Sequence, residues 1–426
     1  MNASVPVGEP ADSRVLPGAE PTRVVLHVGL YKTGTTYLQN RMRHDRRRLG
    51  RAGLYLPAAR REVIFAALDL LGRQLRGVRD PRVPGAWDRL VTEINASGLP
   101  GAIVSEERLS VATPRQARRA VVSFGAAQVH VVVTVRDLAR VLVSHWQEEV
   151  KNGAVWTFPE YADAIRDPRG VGGNPARGFW MHEDVTAVLR SWSAAVPVDR
   201  IHVVTVPPPG SPPGLLAERF GSVVGFRPRP PRKELASNEN VGAVGTELLR
   251  RLNERLGDRL DGVEHERGVR IPLTPALAAL PSRRATTIPA THRAWTQTTA
   301  ARFVAEIRTA GYHVVGDLSD LHPRWPEPTA GAPAEGEAAG DIEDGDLLDA
   351  ALEALAALAT RQGQVLAAAD RQAGAERTDL AGRGTRAANA MRTLAVHGQR
   401  TAADVATGTS LGRRLTAMYL RRRAGR

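Results

Sequence analysis

Residues 23–39 constrain this chain more than any other stretch. Arg23-Val-Val-Leu-His-Val-Gly29 is a valine-rich apolar run that stops at glycine. Leu30-Tyr31-Lys32-Thr33-Gly34-Thr35-Thr36 is built around Lys, Gly and Thr, and Tyr37-Leu38-Gln39 continues the chain beyond it. The pattern predicts a buried strand, a short loop and the first turn of a helix, which is the layout of a phosphate-binding loop. The first N–H groups of a helix have no partner within it, and the helix dipole favours negative charge there. Gly34 lets the main chain approach an anion closely. Lys32 adds a positive charge, and Thr33, Thr35 and Thr36 add hydroxyl donors.

The order of residues separates this loop from that of the nucleoside triphosphatases, G-x-x-x-x-G-K-[ST]. Here Lys32 precedes the second glycine, in Gly29-x-x-Lys32-Thr33-Gly34-Thr35-Thr36, and no Lys follows Gly34.

The rest of the chain reads as strands alternating with helices. Gly53–Pro57 is a short strand and Glu62 to Arg76 a helix. Trp87 to Ala96 is a helix, Gly101–Ser105 a second buried strand, and Thr113 to Ser123 a helix. Val129-His-Val-Val-Val-Thr-Val135 is the longest β-branched run and predicts a central parallel strand covered on both faces. The first helix is expected to run from Thr35 to about Arg48, and another from Leu138 to Lys151. A further strand covers Arg200–Pro207, helices cover 238–260 and 297–311, and Tyr312–Asp317 is a closing turn or strand. Such alternation predicts an α/β fold of three layers around a parallel sheet, whose ligands bind at the C-terminal strand ends. Three polar clusters fall at such ends: Lys32–Thr36, Ser105–Ser110, and Arg136 with its following helix.

Around this core the expected domain organisation is a flexible arm over residues 1–21, an α/β domain over 22–325, a linker over 326–346 and a tail over 347–426. Residues 155–198 hold much of the aromatic content (Trp156, Phe158, Tyr161, Phe179, Trp180, Trp192) and predict a helical insertion with its own small core, or an acceptor lid. The linker is rich in Ala, Gly, Pro and acid. The tail carries Leu348, Leu352 and Leu355 at helical spacing and ends in Arg413-Arg414 and Arg421-Arg422-Arg423, so it reads as an Ala/Arg-rich helical or disordered segment. A weak membrane-surface or protein contact through its basic end is the sharper expectation for it.

The chain of 426 residues has a net charge of +13, which suits an anionic ligand, and no specific nucleic-acid partner is read from it. It has no cysteine, so thiolate chemistry and disulfides are excluded. Its histidines show no metal-ligand spacing, and no metal is expected. No signal peptide and no run of about 18 apolar residues is found, which leads to the expectation of a soluble cytoplasmic protein.

Arg136 stands at the end of the long strand, with Asp137 starting a helix and Ser144 two turns into it. Arg suits bidentate phosphate contact and a Ser hydroxyl adds a donor. Lys32-Thr33-Gly34-Thr35-Thr36 after a first strand, followed later by a strand-end Arg136 and Ser144, resembles the paired signatures of the sulfotransferase family, in its bacterial variety. The resemblance covers roughly residues 22–325, including the weaker Asn238-Glu239-Asn240 and Gly311–Leu318 segments. It implies a P-loop-like α/β fold and transfer of a sulfuryl group from 3′-phosphoadenylyl sulfate (PAPS) to a hydroxyl or amine of an acceptor (glycan, lipid or small metabolite), without a metal. By position it implies that Lys32, Thr33, Gly34, Thr35 and Thr36 hold the 5′-phosphosulfate, that Arg136 and Ser144 hold the 3′-phosphate, and that Lys32 stabilises charge on the bridging oxygen.

The acceptor needs a base. Ser105-Glu106-Glu107-Arg108-Leu109 resembles the family's Ser-x-Glu-x-Leu pattern, which points to Glu107, with Glu106 as the alternative; strand alternation lets only one of the two face the donor. His27, inside the first strand, reads as a packed core histidine. By the same resemblance Arg232 and Lys233 read as a late basic contact to the donor, with Glu234 standing where some relatives have glycine. Two rivals remain: a nucleotide kinase or triphosphatase on a related P-loop fold, and a non-catalytic phosphate-binding module with a membrane- or partner-binding tail.

Overall fold

A computed structural model describes residues 22–74, 79–167, 175–229, 240–280, 286, 288–325, 342–368 and 370–371. The chain divides into two units, 1–354 and 355–426. The first is an α/β fold on six parallel strands: β1 (Arg23–His27), β2 (Leu54–Tyr55), β3 (Gly101–Ser105), β4 (Gln128–Val135), β5 (Ile201–Thr205) and β6 (His313–Val315). Their spatial order is β2-β3-β1-β4-β5-β6.

Alternation along each strand fills two layers. Val24, Leu26, Ala102, Val104, Val131 and Val133 face one core with Trp87, Phe124 and Trp192. Val25, Ile103, Val132 and Val204 face the other, with Leu38, Met42 and Phe220. Helices on both faces are why these strands read as unbroken apolar runs. The order also places β1 between β3 and β4. The chain leaves β1 toward β2 and later crosses to β4, so the crevice at the ends of β1 and β4 is a topological switch point, where open α/β sheets bind ligands.

One expectation needs correction. The first helix does not run on to Arg48. Thr35–His44 ends at Asp45 (φ −90°, ψ 10°), and a second helix, Arg46–Arg51, starts there, with buried Asp45 accepting from Arg48 Nη1 at 3.1 Å. The described part of residues 155–198 is helical (Phe158–Arg166, Pro175–Glu183, Val185–Ser193), and its apolar side chains divide: buried Phe158, Tyr161 and Phe179 pack with Trp146 and His145, outside the two sheet layers. Val185, Val188, Leu189 and Trp192 are buried in the main core under the sheet. The predicted 238–260 and 297–311 helices are Gly242–Leu256 and Ala290–Ala310.

Residues 344–354 are helical in the first unit, and 355–368 are helical in the second. Leu348, Leu352 and Leu355 are exposed. The basic clusters from Arg413 onward, most of the 326–346 linker, Arg232 and Lys233 lie outside the described residues. Among the described residues no helix is long and apolar enough to cross a membrane.

Candidate functional site

The loop after β1 is pinned to β4 through its main chain. Leu30 N–H donates to Thr134 O at 2.9 Å, and Val28 N–H to Val132 O at 3.0 Å. Thr134 Oγ1 donates to Gly29 O at 3.0 Å and lies 2.6 Å from Thr33 Oγ1, which itself donates to Leu30 O at 2.6 Å. Thr33 is fully buried, so its hydroxyl serves the loop's own structure. His27 is also fully buried, with its ring nitrogens 2.8 Å from Ser105 Oγ and 3.2 Å from Thr134 Oγ1. Burial pushes its pKa down to about 3, so it is neutral, as its place inside a strand predicts.

The backbone of the loop is unusual where a ligand would meet it. Lys32 has φ 57°, a left-handed conformation uncommon outside glycine. Gly34, at φ 87°, caps the helix Thr35–His44 and presents its first N–H groups. Gly29, at φ 106°, is tightly placed: a Cβ there would lie 3.3 Å from both Cα and Cβ of Glu107. The glycine therefore permits the loop and the end of β3 to touch.

The two glutamates after β3 point to different partners. Glu106 is buried and ion-paired to Arg108 Nη1, and its main-chain N–H donates to His27 O at 3.0 Å. Burial and the neighbouring Glu107 raise its pKa. Glu107 is half-buried and accepts from Gln39 Nε2 at 3.1 Å, and the same amide reaches Ser105 O at 3.3 Å. Gln39 projects from the helix that the loop begins, so it ties Glu107 to the loop.

Arg136, at the end of β4, donates from Nη1 to the Lys32 carbonyl at 3.0 Å. Burial, reinforced by Arg140, pushes its pKa down to about 10, which leaves it charged at neutral pH. Ser144 is half-buried on the helix Leu138–Lys151. The ammonium of Lys32 reaches that same helix and pairs with Glu148 Oε2 at 2.7 Å. Glu148 also holds Lys151 Nζ at 2.9 Å and Arg270 Nη2 at 2.5 Å. Burial works to raise the Glu148 carboxyl, but the three cations outweigh it and hold it well below the usual carboxylate range. Burial lowers the pKa of Lys32, with Glu148 opposing.

Among the described residues, five of the fourteen buried polar atoms without a hydrogen-bond partner belong to residues around this loop: Gln39 Oε1, Arg136 Nε, His182 Nδ1, and both carboxyl oxygens of Glu183. Such atoms are rare in folded proteins and need a reason. His182 packs on Tyr31 of the loop, with ring centroids 4.3 Å apart. Burial raises the Tyr31 hydroxyl above its usual range and pushes His182 down to about 4.

Thus Lys32, Gly34, Thr35, Thr36, Glu107 and Arg136 lie at the ends of three neighbouring strands, while Thr33 and Glu106 are engaged internally. Gln39, Thr134, Glu148, Tyr31, His182 and Glu183 were not picked out from the sequence as site residues. Gln39, one turn after Thr35, and Thr134, one strand repeat before Arg136, carried a positional signal; Glu183 carried none. Comparison of the chain with family models, with curated proteins and with solved structures finds no match.

Proposed function

We propose that this chain is a sulfotransferase that moves a sulfuryl group from PAPS to a hydroxyl or amine. The observation that carries the reading is the convergence of the Lys32–Thr36 loop, Glu107 and Arg136 at the ends of β1, β3 and β4. The loop supplies main-chain N–H groups, two Thr hydroxyls and a Lys for a doubly charged phosphosulfate. Arg136, on the adjacent strand, supplies a fork for a second phosphate.

In this reading the acceptor oxygen or nitrogen forms a bond to sulfur as the bond from sulfur to the bridging oxygen breaks. Lys32 leaves Glu148 and stabilises the charge that grows on that oxygen. Glu107, held by Gln39 against the loop, takes the acceptor's proton. Adenosine 3′,5′-bisphosphate is the leaving product.

The kinase reading finds less support. It requires a Lys after the second glycine, and Asp137 here caps a helix by accepting from Arg140 N–H at 3.0 Å. Calorimetric titration with adenosine 3′,5′-bisphosphate, and in parallel with ATP and magnesium, tests the assignment. Tight bisphosphate and weak ATP binding are expected; preference for ATP with magnesium overturns it.

A further inference from the structure

Glu183 ends the helix Pro175–Glu183, and Asp184 starts the next helix directly. It is 2% exposed, and neither carboxyl oxygen has a hydrogen-bond partner. Three titratable groups act on it electrostatically: Lys32 from the loop, Arg136 from the end of β4, and Tyr161 from the helix Phe158–Arg166. Tyr161 is committed to His145 Nδ1 at 2.8 Å, Lys32 to Glu148 and Arg136 to the Lys32 carbonyl. The carboxyl is thus buried within electrostatic range of the two cations of the anion site, yet hydrogen-bonded to neither.

A bare carboxylate there is costly twice over. An ionised group buried without hydrogen bonds loses several kcal/mol of hydration. It would also repel any phosphate or sulfonate held by Lys32 and Arg136. A neutral acid avoids both penalties, because it offers one O–H donor and an acceptor oxygen. An anion between Lys32 and Arg136 is the partner such a donor lacks.

We propose that Glu183 is a further wall of this anion site and contacts the donor's anionic oxygens as a neutral carboxylic acid that donates a hydrogen bond. This rests on the donor reading above and deepens it: the site selects an anion with a proton-bearing acid as well as with cations. The direction of its pKa agrees, since burial lifts it well above the usual range while Lys32 and Arg136 offset only part.

The test is infrared difference spectroscopy of wild type against Glu183→Gln, with and without adenosine 3′,5′-bisphosphate, alongside affinities. The expected difference spectrum shows the C=O stretch of a protonated acid in the complex, displaced from its ligand-free position. Glu183→Gln keeps a donor and should bind within about fivefold of wild type, whereas Glu183→Met, similar in bulk but without a donor, should bind about tenfold more weakly than wild type. Ionised carboxylate bands in the complex, or an acid band that the ligand does not move, overturn this proposal while the donor reading stands. A wild-type protein that binds no bisphosphate overturns the donor reading and this proposal together.

Discussion

Lys32 Nζ sits 2.7 Å from Glu148 Oε2, so the only lysine of the loop is held by a carboxylate on the helix after β4. An anion in the loop competes with that carboxylate. Glu148 keeps Lys151 and Arg270 when Lys32 leaves, so the exchange does not strand a buried negative charge. Replacing Glu148 with Gln should free Lys32 and tighten bisphosphate binding several-fold, with a steeper loss of affinity at high salt. It should also lower stability by about 1–3 kcal/mol, because three cations lose their partner. Calorimetric titration at two salt concentrations, with a denaturation curve, checks both parts.

Lys32→Ala should separate binding from folding. It removes a charge-assisted contact to the anion, worth about 1.5–3 kcal/mol, or roughly tenfold to a hundredfold in affinity. The fold should survive, since Glu148 remains paired to two other cations. A variant that is folded by circular dichroism and binds bisphosphate as well as wild type would remove the loop from the site.

The glutamate pair invites a split outcome. Glu107→Gln should bind the bisphosphate nearly as wild type does and lose sulfuryl transfer by about a hundredfold or more, the usual scale for a general base. Glu106→Gln should act on stability instead, because it leaves Arg108 without its buried partner. Transfer assays beside thermal melts distinguish the two; full transfer by Glu107→Gln would take it out of the chemistry.

Gly29 links these residues sterically. At φ 106°, and with Glu107 Cα and Cβ 3.3 Å from any added Cβ, Gly29→Ala should strain the loop by about 1–3 kcal/mol and push Glu107 away. Transfer should fall more than bisphosphate affinity, and the ratio of the two is the measurement.

The parts of the fold legible in the sequence are those set by local pattern. β3 and the helix Leu138–Lys151 fall at the predicted bounds, and β1 and β4 within two residues, because continuous apolar runs covered on both faces and a single Asp cap leave little choice. The loop's Gly and Lys positions were legible for the same reason. Strand order was not: that β1 lies between β3 and β4 is a long-range pairing, and it is what brings Glu107 and Arg136 to the loop. Glu148 and Glu183 stayed hidden because an acid on a helix ordinarily reads as a solvated face. Only tertiary packing shows the first tied to Lys32 and the second fully enclosed. The insertion's aromatics mark buried surface without saying which core they join: Trp192 enters the main core, whereas Phe158, Tyr161 and Phe179 pack around His145 and Trp146.

Buried neutral histidines give the protein a pH dependence of defined sign. Burial pushes both His27 and His145 down to about 3, against 6.5 for the free side chain. His130 and His202, joined at 2.9 Å in a row that continues to His313, are pushed down to about 4 by burial. In each case the unfolded chain binds a proton that the folded chain does not. Their contribution is therefore fully present above pH 6.5 and is lost as pH falls from there toward 4 and then 3. Each fully uncoupled histidine adds up to about 1.4 kcal/mol per pH unit to that slope. Denaturation midpoints should therefore drop steadily from neutral to mildly acid pH. His145→Gln should flatten the slope by close to one proton's worth while losing some stability at neutral pH, where its bond to Tyr161 is weakened. A denaturation series across that range reads the slope directly; an unchanged slope in the variant would mean that His145 already carries its proton in the folded protein.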